Sequence, residues 1–260
     1  MTPNAALAAL RETAPLVHCI TNYVAMNIAA NVVLAAGASP AMIHAEEEVA
    51  DFAPVAGALT VNIGTLSAPW GRAMVAAARA ARDAGKPWVL DPVAHFATPF
   101  RADLTAKLMA EQPTILRGNA SEILALAGEA GAGKGVDSGD SVAAAEAGAI
   151  RLAASTGAVV AATGTIDFVT DGTRFARITG GSDLMPKVTA LGCSLTALIG
   201  GYAAVAAPFD ATVAALLHFA EAGARAGAQA SGPGSFSVQF LDQLAALAPG
   251  DLDEGRVAWG

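Results

Sequence analysis

The chain has 260 residues, of which 54% are hydrophobic and 15% charged, so it is long enough to bury a large core and too apolar for a disordered protein. Its formal net charge of −8 at pH 7, with no Lys/Arg cluster interleaved with aromatic residues, argues against a nucleic-acid or anionic-membrane partner. The chain starts without the basic and apolar regions of a signal peptide, and two cysteines make no disulfide framework.

These features together favour a cytoplasmic protein of one domain, residues 1–260, with a small-molecule ligand. Two charge-poor stretches, residues 15–45 and 188–209, are as long as a membrane span. Asparagine side chains interrupt the first stretch and Gly200-Gly201 the second, which is also rich in alanine. We therefore expect no membrane partner.

Along the chain, short apolar runs rich in β-branched residues alternate with Ala-rich segments of helical length at a spacing of roughly 25 residues. The predicted strands are residues 16–20, 40–43, 59–63, 88–90, 114–116 and 159–162. The predicted helices between them are residues 22–36, 70–84, 102–111, 121–128 and 141–155. This alternation is typical of an α/β fold with a parallel sheet.

The pattern changes after Thr163. Two short segments, residues 168–170 and 174–178, flank Asp171-Gly172, a pair that suits the tight turn of a β-hairpin. We therefore expect antiparallel strands at one edge of the sheet. The rest of the chain has helical periodicity, with helices predicted from Cys193 onward and over residues 211–228 and 237–247.

Polar residues collect where the predicted strands end. The pairs and triplets are Thr21-Asn22, Gly64-Thr65, Asp91-Pro92, Arg117-Gly118-Asn119 and Thr163-Gly164. Because ligands bind beyond the carboxyl ends of the strands in open parallel sheets, this pattern predicts one cleft.

The segment KVTALGCSLTAL, residues 187–198, joins a turn containing Thr189 to the start of an Ala/Leu-rich helix. Free backbone N–H groups at a helix start bind phosphate oxygens, and Gly192 lets the backbone approach them closely. The sequence therefore predicts an anion site at which a phosphate is transferred in front of Cys193. A helix start would also lower the pKa of this thiol, although a lone cysteine is equally typical of a small buried side chain.

Two carboxylates beside the predicted cleft, Asp91 and Glu122, could hold Mg²⁺ through water molecules. Taken singly, an Asp before Pro is often a turn former, and Glu122 could simply be a helix-start carboxylate. Arg117 could neutralise a transferring phosphate or could be an ordinary solvated side chain. A near-match to the Walker A loop at residues 128–135 lacks the Ser/Thr that binds metal, and the four histidines have no metal-ligand spacing.

The chain resembles the hydroxyethylthiazole kinases, a family of the ribokinase-like superfamily, nearly from end to end. The motifs that carry the resemblance are PLVHCITNYVAMNIAANVVLAAGASPAM (15–42), EEVAD (47–51), LTVNIGTL (59–66), VLDPV (89–93), ATPFR (97–101), ILRGNASEI (115–123), KGVDS (134–138), KVTALGC (187–193) and GPGSF (232–236).

The resemblance implies a ribokinase-like fold without a separate lid and ATP-dependent phosphorylation of the primary hydroxyl of 4-methyl-5-(2-hydroxyethyl)thiazole, a thiamine salvage step that uses Mg²⁺. It also implies a homotrimer with active sites between subunits, in which Met42 could serve a neighbouring chain. The resemblance implies that Asn22, Met42 and Ala190 contact the thiazole. It implies that Arg117 and Thr163 bind the ATP phosphates beside the anion turn of Thr189 and Gly192, and that Asp91 and Glu122 lie near magnesium. Cys193 falls at the position of the Asp base that most kinases of the superfamily have.

A thiol, with a reference pKa of about 8.5, accepts a proton less readily at neutral pH than a carboxylate does, so we expect modest turnover. The chain departs from the family at Ala94-His95-Phe96, where some members are glycine-rich, and at Ala190, where glycine is common. Three alternatives remain at this stage: another vitamin-alcohol kinase, such as one for hydroxymethylpyrimidine; a hydrolase or acyltransferase with Cys193 as nucleophile; and a binding module without turnover.

Overall fold

A computed structural model of the chain describes residues 1–129 and 142–260. Its centre is a nine-stranded sheet with the order β2-β1-β3-β4-β5-β6-β7-β8-β9. The strands are β1 (Leu16–Ile20), β2 (Ser39–Ala41), β3 (Ala58–Asn62), β4 (Trp88–Asp91), β5 (Ile115–Asn119), β6 (Val159–Thr163), β7 (Ile166–Thr170), β8 (Phe175–Thr179) and β9 (Val257–Trp259). Strands β1 to β6 pair in parallel, and β7, β8 and β9 continue the sheet antiparallel. The predicted α/β fold with an antiparallel edge is confirmed.

Helices cover both faces of the sheet. They are α1 (Pro3–Thr13), α2 (Met26–Ala36), α3 (Val49–Phe52), α4 (Ala68–Asp83), α5 (Pro99–Ala110), α6 (Ala120–Leu126), α7 (Val142–Thr156), α8 (Leu191–Ala203), α9 (Pro208–Gln229) and α10 (Pro233–Ala246). Helices α1, α2, α8, α9 and α10 share one hydrophobic cluster with the sheet, and α4 to α7 share the other. Within the described residues every strand belongs to this sheet, and no helix has the length and apolarity that crossing a membrane requires.

Several details differ from the sequence prediction. Helix α1 and strand β9 were not predicted, and β9 has only three residues. Helix α2 begins at Met26 instead of Asn22, since the Asn22 side chain accepts hydrogen bonds from the next backbone N–H groups and holds a turn there. Most of the Walker-like segment and all of residues 134–138 lie outside the described residues.

Helix α8 packs unusually closely on the sheet, and this contact fixes the site. Gly200 lies so near Thr60 of β3 that a Cβ at this position would overlap the Thr60 methyl group. Cys193, Thr196 and Gly200 follow one another at helical spacing and therefore lie on the same face of α8. The close approach at Gly200 thus brings Cys193 and Thr196 down onto the carboxyl ends of the strands.

Candidate active site at the start of helix α8

The parallel strands end side by side and bring their last residues together. Asn62 of β3 pairs in register with Asp91 of β4, and Asn119 of β5 pairs with Thr163 of β6. Arg117 lies two residues before the end of β5. The carboxyl edge of the sheet thus carries the polar side chains that the sequence predicted for one cleft.

Asp91 is fully buried at the centre of this edge. Its Oδ2 atom accepts hydrogen bonds from Asn62 Nδ2 and Thr196 Oγ1, both at 2.7 Å, and lies 3.4 Å from Arg117 Nη1. Its Oδ1 atom is buried and has no hydrogen-bond partner. Burial raises the pKa of Asp91 to about 6, and Glu122 adds to the increase while Arg117 opposes it.

The guanidinium of Arg117 bridges the sheet edge and helix α8. Its Nη2 atom donates to Thr163 Oγ1 at 2.7 Å, and this hydroxyl donates in turn to the Gly118 carbonyl. A Cβ on Gly192 would come within 3.1 Å of the same Nη2 atom. Arg117 therefore lies against the start of α8, and glycine at position 192 leaves the room that this contact needs.

The first turn of α8 presents backbone N–H groups that have no partner within the helix. Ala190 caps this turn with φ 62°, a left-handed conformation that favours glycine over residues with a Cβ. Thr189, just before the cap, is exposed. The anion site predicted from the sequence is thus next to Arg117, and the backbone at Ala190 would favour glycine at that position.

Cys193 lies in this first turn and is partly buried. Its Sγ atom accepts a hydrogen bond from Asn22 Nδ2 at 3.4 Å. Burial raises the pKa of the thiol, the charge of Asp91 raises it further, and Arg117 opposes both. The expectation that the helix start would lower this pKa is wrong, because burial, which makes it costly to remove a thiolate from water, is the largest influence on the thiol.

Asn22 uses all of its polar atoms within the protein. Its Nδ2 atom donates to Asn62 Oδ1 at 2.8 Å as well as to Cys193, and its Oδ1 atom accepts from the N–H groups of Val24 and Ala25. Gly64 packs so tightly on this side chain that a Cβ there would come within 2.8 Å of three Asn22 atoms. Asn22 is therefore held rigidly between Cys193 and Asn62.

Glu122 forms the capping box of helix α6 with Asn119. The Asn119 side chain accepts from the Glu122 N–H, and Glu122 Oε2 accepts from the Asn119 N–H at 2.8 Å. Glu122 Oε1 accepts from the N–H of Ala94, which has φ 47°. Glu122 therefore caps the start of helix α6, which is one of the two roles that the sequence allowed. It leaves room for a second role, because carboxylate oxygens accept more than one bond.

The donor set fits a divalent cation that keeps most of its water ligands. Asp91 has a free buried oxygen, and Glu122 is close enough to raise the pKa of Asp91, so the two carboxylates carry more negative charge than Arg117 alone balances. Among residues 1–129 and 142–260 no three His, Cys, Asp or Glu side chains cluster as a metal site. A pair of carboxylates is the arrangement typical of Mg²⁺ held beside phosphates.

The other side of the cleft is formed by loops after β1 and β2. Met42 follows β2, is partly buried, and packs against the core cluster that contains α8. Tyr23 stacks on Trp70 with ring centroids 4.5 Å apart, and His44 contacts the same indole edge-on. Tyr23 and Val24 are 69% and 56% exposed, so this side presents an open aromatic surface beside Asn22.

Three residues that organise the site were not predicted from the sequence: Asn62, Thr196 and Arg101. Arg101 donates to the carbonyls of Ile63, Val93 and Gly64, and so joins the loops after β3 and β4. Asn62 ends a buried strand just as Asp91 does, and this position was a usable signal. Nothing in the local sequence showed that Thr196 or Arg101 would reach these partners.

Comparison with known proteins decides the family. A model described as the hydroxyethylthiazole kinase family matches residues 7–250. A hydroxyethylthiazole kinase of Roseobacter denitrificans is 64% identical over 97% of this chain and 98% of its own length. One of Gemmatimonas aurantiaca is 61% identical over 100% of this chain and 94% of its own. The chain belongs to the hydroxyethylthiazole kinase family.

Solved structures agree with the hydroxyethylthiazole kinase fold. The hydroxyethylthiazole kinase protein from Pyrococcus horikoshii superposes with a TM-score of 0.92 at 39% identity, covering 99% of this chain and 98% of that one. The pyridoxal kinase from Staphylococcus aureus in complex with AMP-PCP and pyridoxal has a TM-score of 0.63 at 17% identity, covering 80% of this chain and 88% of that one. This second likeness shows the fold alone, and it confirms the ribokinase-like architecture.

Membership of the hydroxyethylthiazole kinase family makes the chain a kinase that transfers phosphate to an alcohol, with ATP as the co-substrate that the family implies. The binding-module and Cys193-nucleophile alternatives are thereby wrong as primary functions. The geometry agrees for the nucleophile, because Cys193 has a raised pKa and no histidine hydrogen-bonds to its thiol in the part of the chain that the structure describes.

Proposed function

We propose that this kinase phosphorylates the primary hydroxyl of 4-methyl-5-(2-hydroxyethyl)thiazole with ATP in thiamine salvage. The observation that carries the proposal is the contact of Arg117 with the start of α8 on one side and with Asp91 on the other. This arrangement places a fixed positive charge and free backbone N–H groups at one point, as phosphoryl transfer requires.

For the nucleotide, we assign the terminal phosphates to Arg117, Thr163, Thr189 and the N–H of Gly192. The hydrogen bond from Arg117 to Thr163 fixes the guanidinium before ATP arrives. The absence of a Cβ at Gly192 lets phosphate oxygens approach the backbone. Preorganised donors of this kind stabilise transition-state charge without having to reorient during the reaction.

For magnesium, we assign Asp91 and Glu122. Support comes from the free buried Oδ1 of Asp91 and from the charge of Glu122 nearby. The ion, when bound, neutralises charge on the nucleotide phosphates. Asp91 contributes a carboxylate whose other oxygen is already fixed, and Glu122 contributes one that is fixed by two backbone N–H groups.

For the acceptor, we assign Asn22, Met42 and Ala190 to the thiazole and Cys193 to its hydroxyl. Because the polar atoms of Asn22 are already bonded, its contact with the ring is by packing, and it also holds Cys193 in place. The acceptor oxygen forms a bond to the terminal phosphorus as the bond to the ADP oxygen breaks, and the hydroxyl proton passes to an oxygen of the transferred phosphoryl group. A raised pKa keeps the Cys193 thiol protonated at neutral pH, so positioning and charge neutralisation supply most of the acceleration.

We further propose a homotrimer in the cytoplasm with active sites between subunits. The exposed Tyr23 and Val24 adjoin Asn22, and Met42 lies on the same open side of the cleft. An apolar surface beside a substrate site is typical of an interface. A neighbouring subunit placed there would close the thiazole pocket against water.

A coupled assay of ADP release tests the proposed function. The purified chain with MgATP should release ADP with hydroxyethylthiazole and show at least about tenfold lower kcat/KM with hydroxymethylpyrimidine, because the loss of a few fitted contacts costs about 1–3 kcal/mol. ADP release with pyridoxal or hydroxymethylpyrimidine but not with the thiazole would assign a different vitamin alcohol. Mass spectrometry of the thiazole phosphate confirms where the phosphate goes.

A further inference from the structure

Asn62 and Thr196 both donate to one oxygen of the Asp91 carboxylate. Thr196 Oγ1 and Asn62 Nδ2 each lie 2.7 Å from Oδ2, and both side chains are almost completely buried. The other oxygen, Oδ1, is equally buried and has no hydrogen-bond partner. Only Oδ2 of the carboxylate therefore accepts hydrogen bonds, although leaving a buried oxygen such as Oδ1 without a partner costs free energy.

Thr196 uses its hydroxyl in an unusual way for a threonine inside a helix. Buried helical threonines commonly donate to the carbonyl four residues earlier, as Thr212 of α9 does to Pro208 at 2.7 Å. Thr196 instead donates to Asp91, which is 105 residues away in the chain. The hydrogen bond from Thr196 to the Asp91 carboxylate is charge-assisted and connects helix α8 to strand β4.

The orientation of the Asn62 amide is fixed by its neighbours. Its Oδ1 atom accepts from Asn22 Nδ2 at 2.8 Å and from the Gly64 N–H at 2.9 Å. Both partners are donors, so the Nδ2 atom of Asn62 must point to Asp91. A flip of the Asn62 amide would lose three hydrogen bonds, so its Nδ2 atom stays directed at Asp91. This donor helps to hold the Asp91 carboxylate in one rotamer.

We propose that Thr196 and Asn62 are positioning residues that hold Oδ2 of Asp91 so that Oδ1 stays free for the divalent cation of the bound nucleotide. Outer hydrogen bonds of this kind orient metal-binding carboxylates, and their loss weakens metal affinity without removing a ligand. The inference rests on the proposed function, because it takes the magnesium role of Asp91 from there.

Thr196→Val tests the inference, since valine keeps the shape of the side chain and removes the hydroxyl. Binding of Mn²⁺, measured from the electron paramagnetic resonance signal of the free ion at saturating ADP, should be about tenfold weaker than in the wild type. Thr196→Ser restores the donor and should return the affinity to within about twofold of the wild type. Thr212→Val deletes a hydroxyl that is equally buried but donates within α9 to Pro208 and not to Asp91, and it should leave Mn²⁺ binding unchanged.

Kinetics give a second readout. Thr196→Val should raise the Mg²⁺ concentration needed for half-maximal turnover and leave KM for the thiazole unchanged, a split that general damage to the fold would not produce. Unchanged Mn²⁺ affinity in Thr196→Val, or an equal loss in Thr212→Val, overturns the inference. If Thr196→Val does not fold, Asn62→Ser is titrated in the same way and decides between the same outcomes.

The two proposals fail differently. A wild-type protein that binds Mn²⁺ with ADP but does not phosphorylate the thiazole contradicts the substrate assignment alone, and the titration of Thr196→Val still decides the role of Thr196. A wild-type protein that phosphorylates the thiazole while Thr196→Val binds Mn²⁺ normally contradicts the positioning role alone. Failure of the wild type to bind Mn²⁺ with ADP overturns the positioning role as well.

Discussion

The two sides of the cleft are built differently. On the phosphate side, Asp91, Arg117 and Thr163 come from adjacent strand ends and are bonded to one another. On the acceptor side, Met42 and Tyr23 come from loops, and Tyr23 is largely exposed. The side chains of the first side are held by hydrogen bonds within the chain, whereas Tyr23 on the second side is largely exposed.

The difference follows from charge. Charged groups buried in a protein must be paired, and a sheet edge holds paired groups at fixed spacing. An apolar ring needs only a surface to pack against, and loops supply one that can adapt. We therefore expect changes on the phosphate side to act on kcat and changes on the acceptor side to act on KM for the alcohol.

Arg117→Gln should produce the largest effect. An arginine that stabilises transferring phosphate contributes about 10³-fold or more to turnover, and we expect kcat to fall by about 10³. Arg79→Gln is the matched control, because Arg79 is an exposed side chain that pairs with the buried Glu111 and makes no contact with Asp91 or Arg117. Steady-state ADP release measures both variants, and a loss below about tenfold in Arg117→Gln would remove this residue from the reaction.

Cys193→Ser should lower kcat by about 10–100-fold without abolishing it, because the protonated thiol positions the acceptor hydroxyl and does not accept its proton, and misplacing a reacting group costs up to about 10²-fold. Serine keeps a small side chain that can accept from Asn22. Near-ultraviolet circular dichroism should show an unchanged fold. A folded but completely inactive Ser variant would mean that the thiol is essential to the chemistry.

Asp91→Asn should show that the phosphate side is built at the expense of stability. Burial raises the Asp91 pKa in the folded state to about 6, so the folded protein binds a proton that the unfolded chain releases. The charged form therefore destabilises the protein increasingly as pH rises from about 4 to about 6. Between pH 4 and pH 7 the stability of Asp91→Asn relative to the wild type should rise by on the order of 1–3 kcal/mol. Urea unfolding at several pH values measures it, and a flat difference would contradict the raised pKa.

Met42→Ala should act on the acceptor side alone. We expect KM for the thiazole to rise by about tenfold and KM for ATP to stay constant, because an apolar contact of this size contributes about 1.5–3 kcal/mol at most. Met109→Ala, which shortens a partly buried methionine in α5, is the control. A change in both KM values would show that Met42 supports the fold and not the substrate.

Ala190→Gly should have the smallest effect and a favourable one. Ala190 adopts φ 62°, and glycine relieves about 1 kcal/mol of strain at such a position. Ala14→Gly, at φ 44° after helix α1, should stabilise the protein similarly. Only Ala190→Gly should also lower KM for the thiazole, since it removes a methyl group beside the substrate. Thermal unfolding and kinetics of the two variants separate strain from substrate contact.

Periodicity and motif spacing predicted most of the fold and part of the site. The alternation of apolar runs and Ala-rich segments gave the parallel sheet, and polar residues at strand ends gave the positions of Asp91, Arg117 and Thr163. The pKa of Cys193 was predicted in the wrong direction, because burial depends on the packing of α8 and not on the helix start alone. That the chain forms one domain and the roles of the individual site residues stay predictions.

The sequence by itself determined the fold class and a family resemblance, and it predicted the edge of the sheet at which the candidate site lies, because these depend on local patterns and on chain order. Only the tertiary structure decided which side chains hydrogen-bond to Asp91 and which of its two carboxylate oxygens has no partner. Asn62, Thr196 and Arg117 come from three elements far apart in the chain. The pairing of β3, β4 and β5 brings Asn62 and Arg117 beside Asp91, and the close packing of Gly200 on Thr60 brings Thr196 there. Contacts of this kind depend on distances of a few tenths of an ångström, which no local pattern encodes.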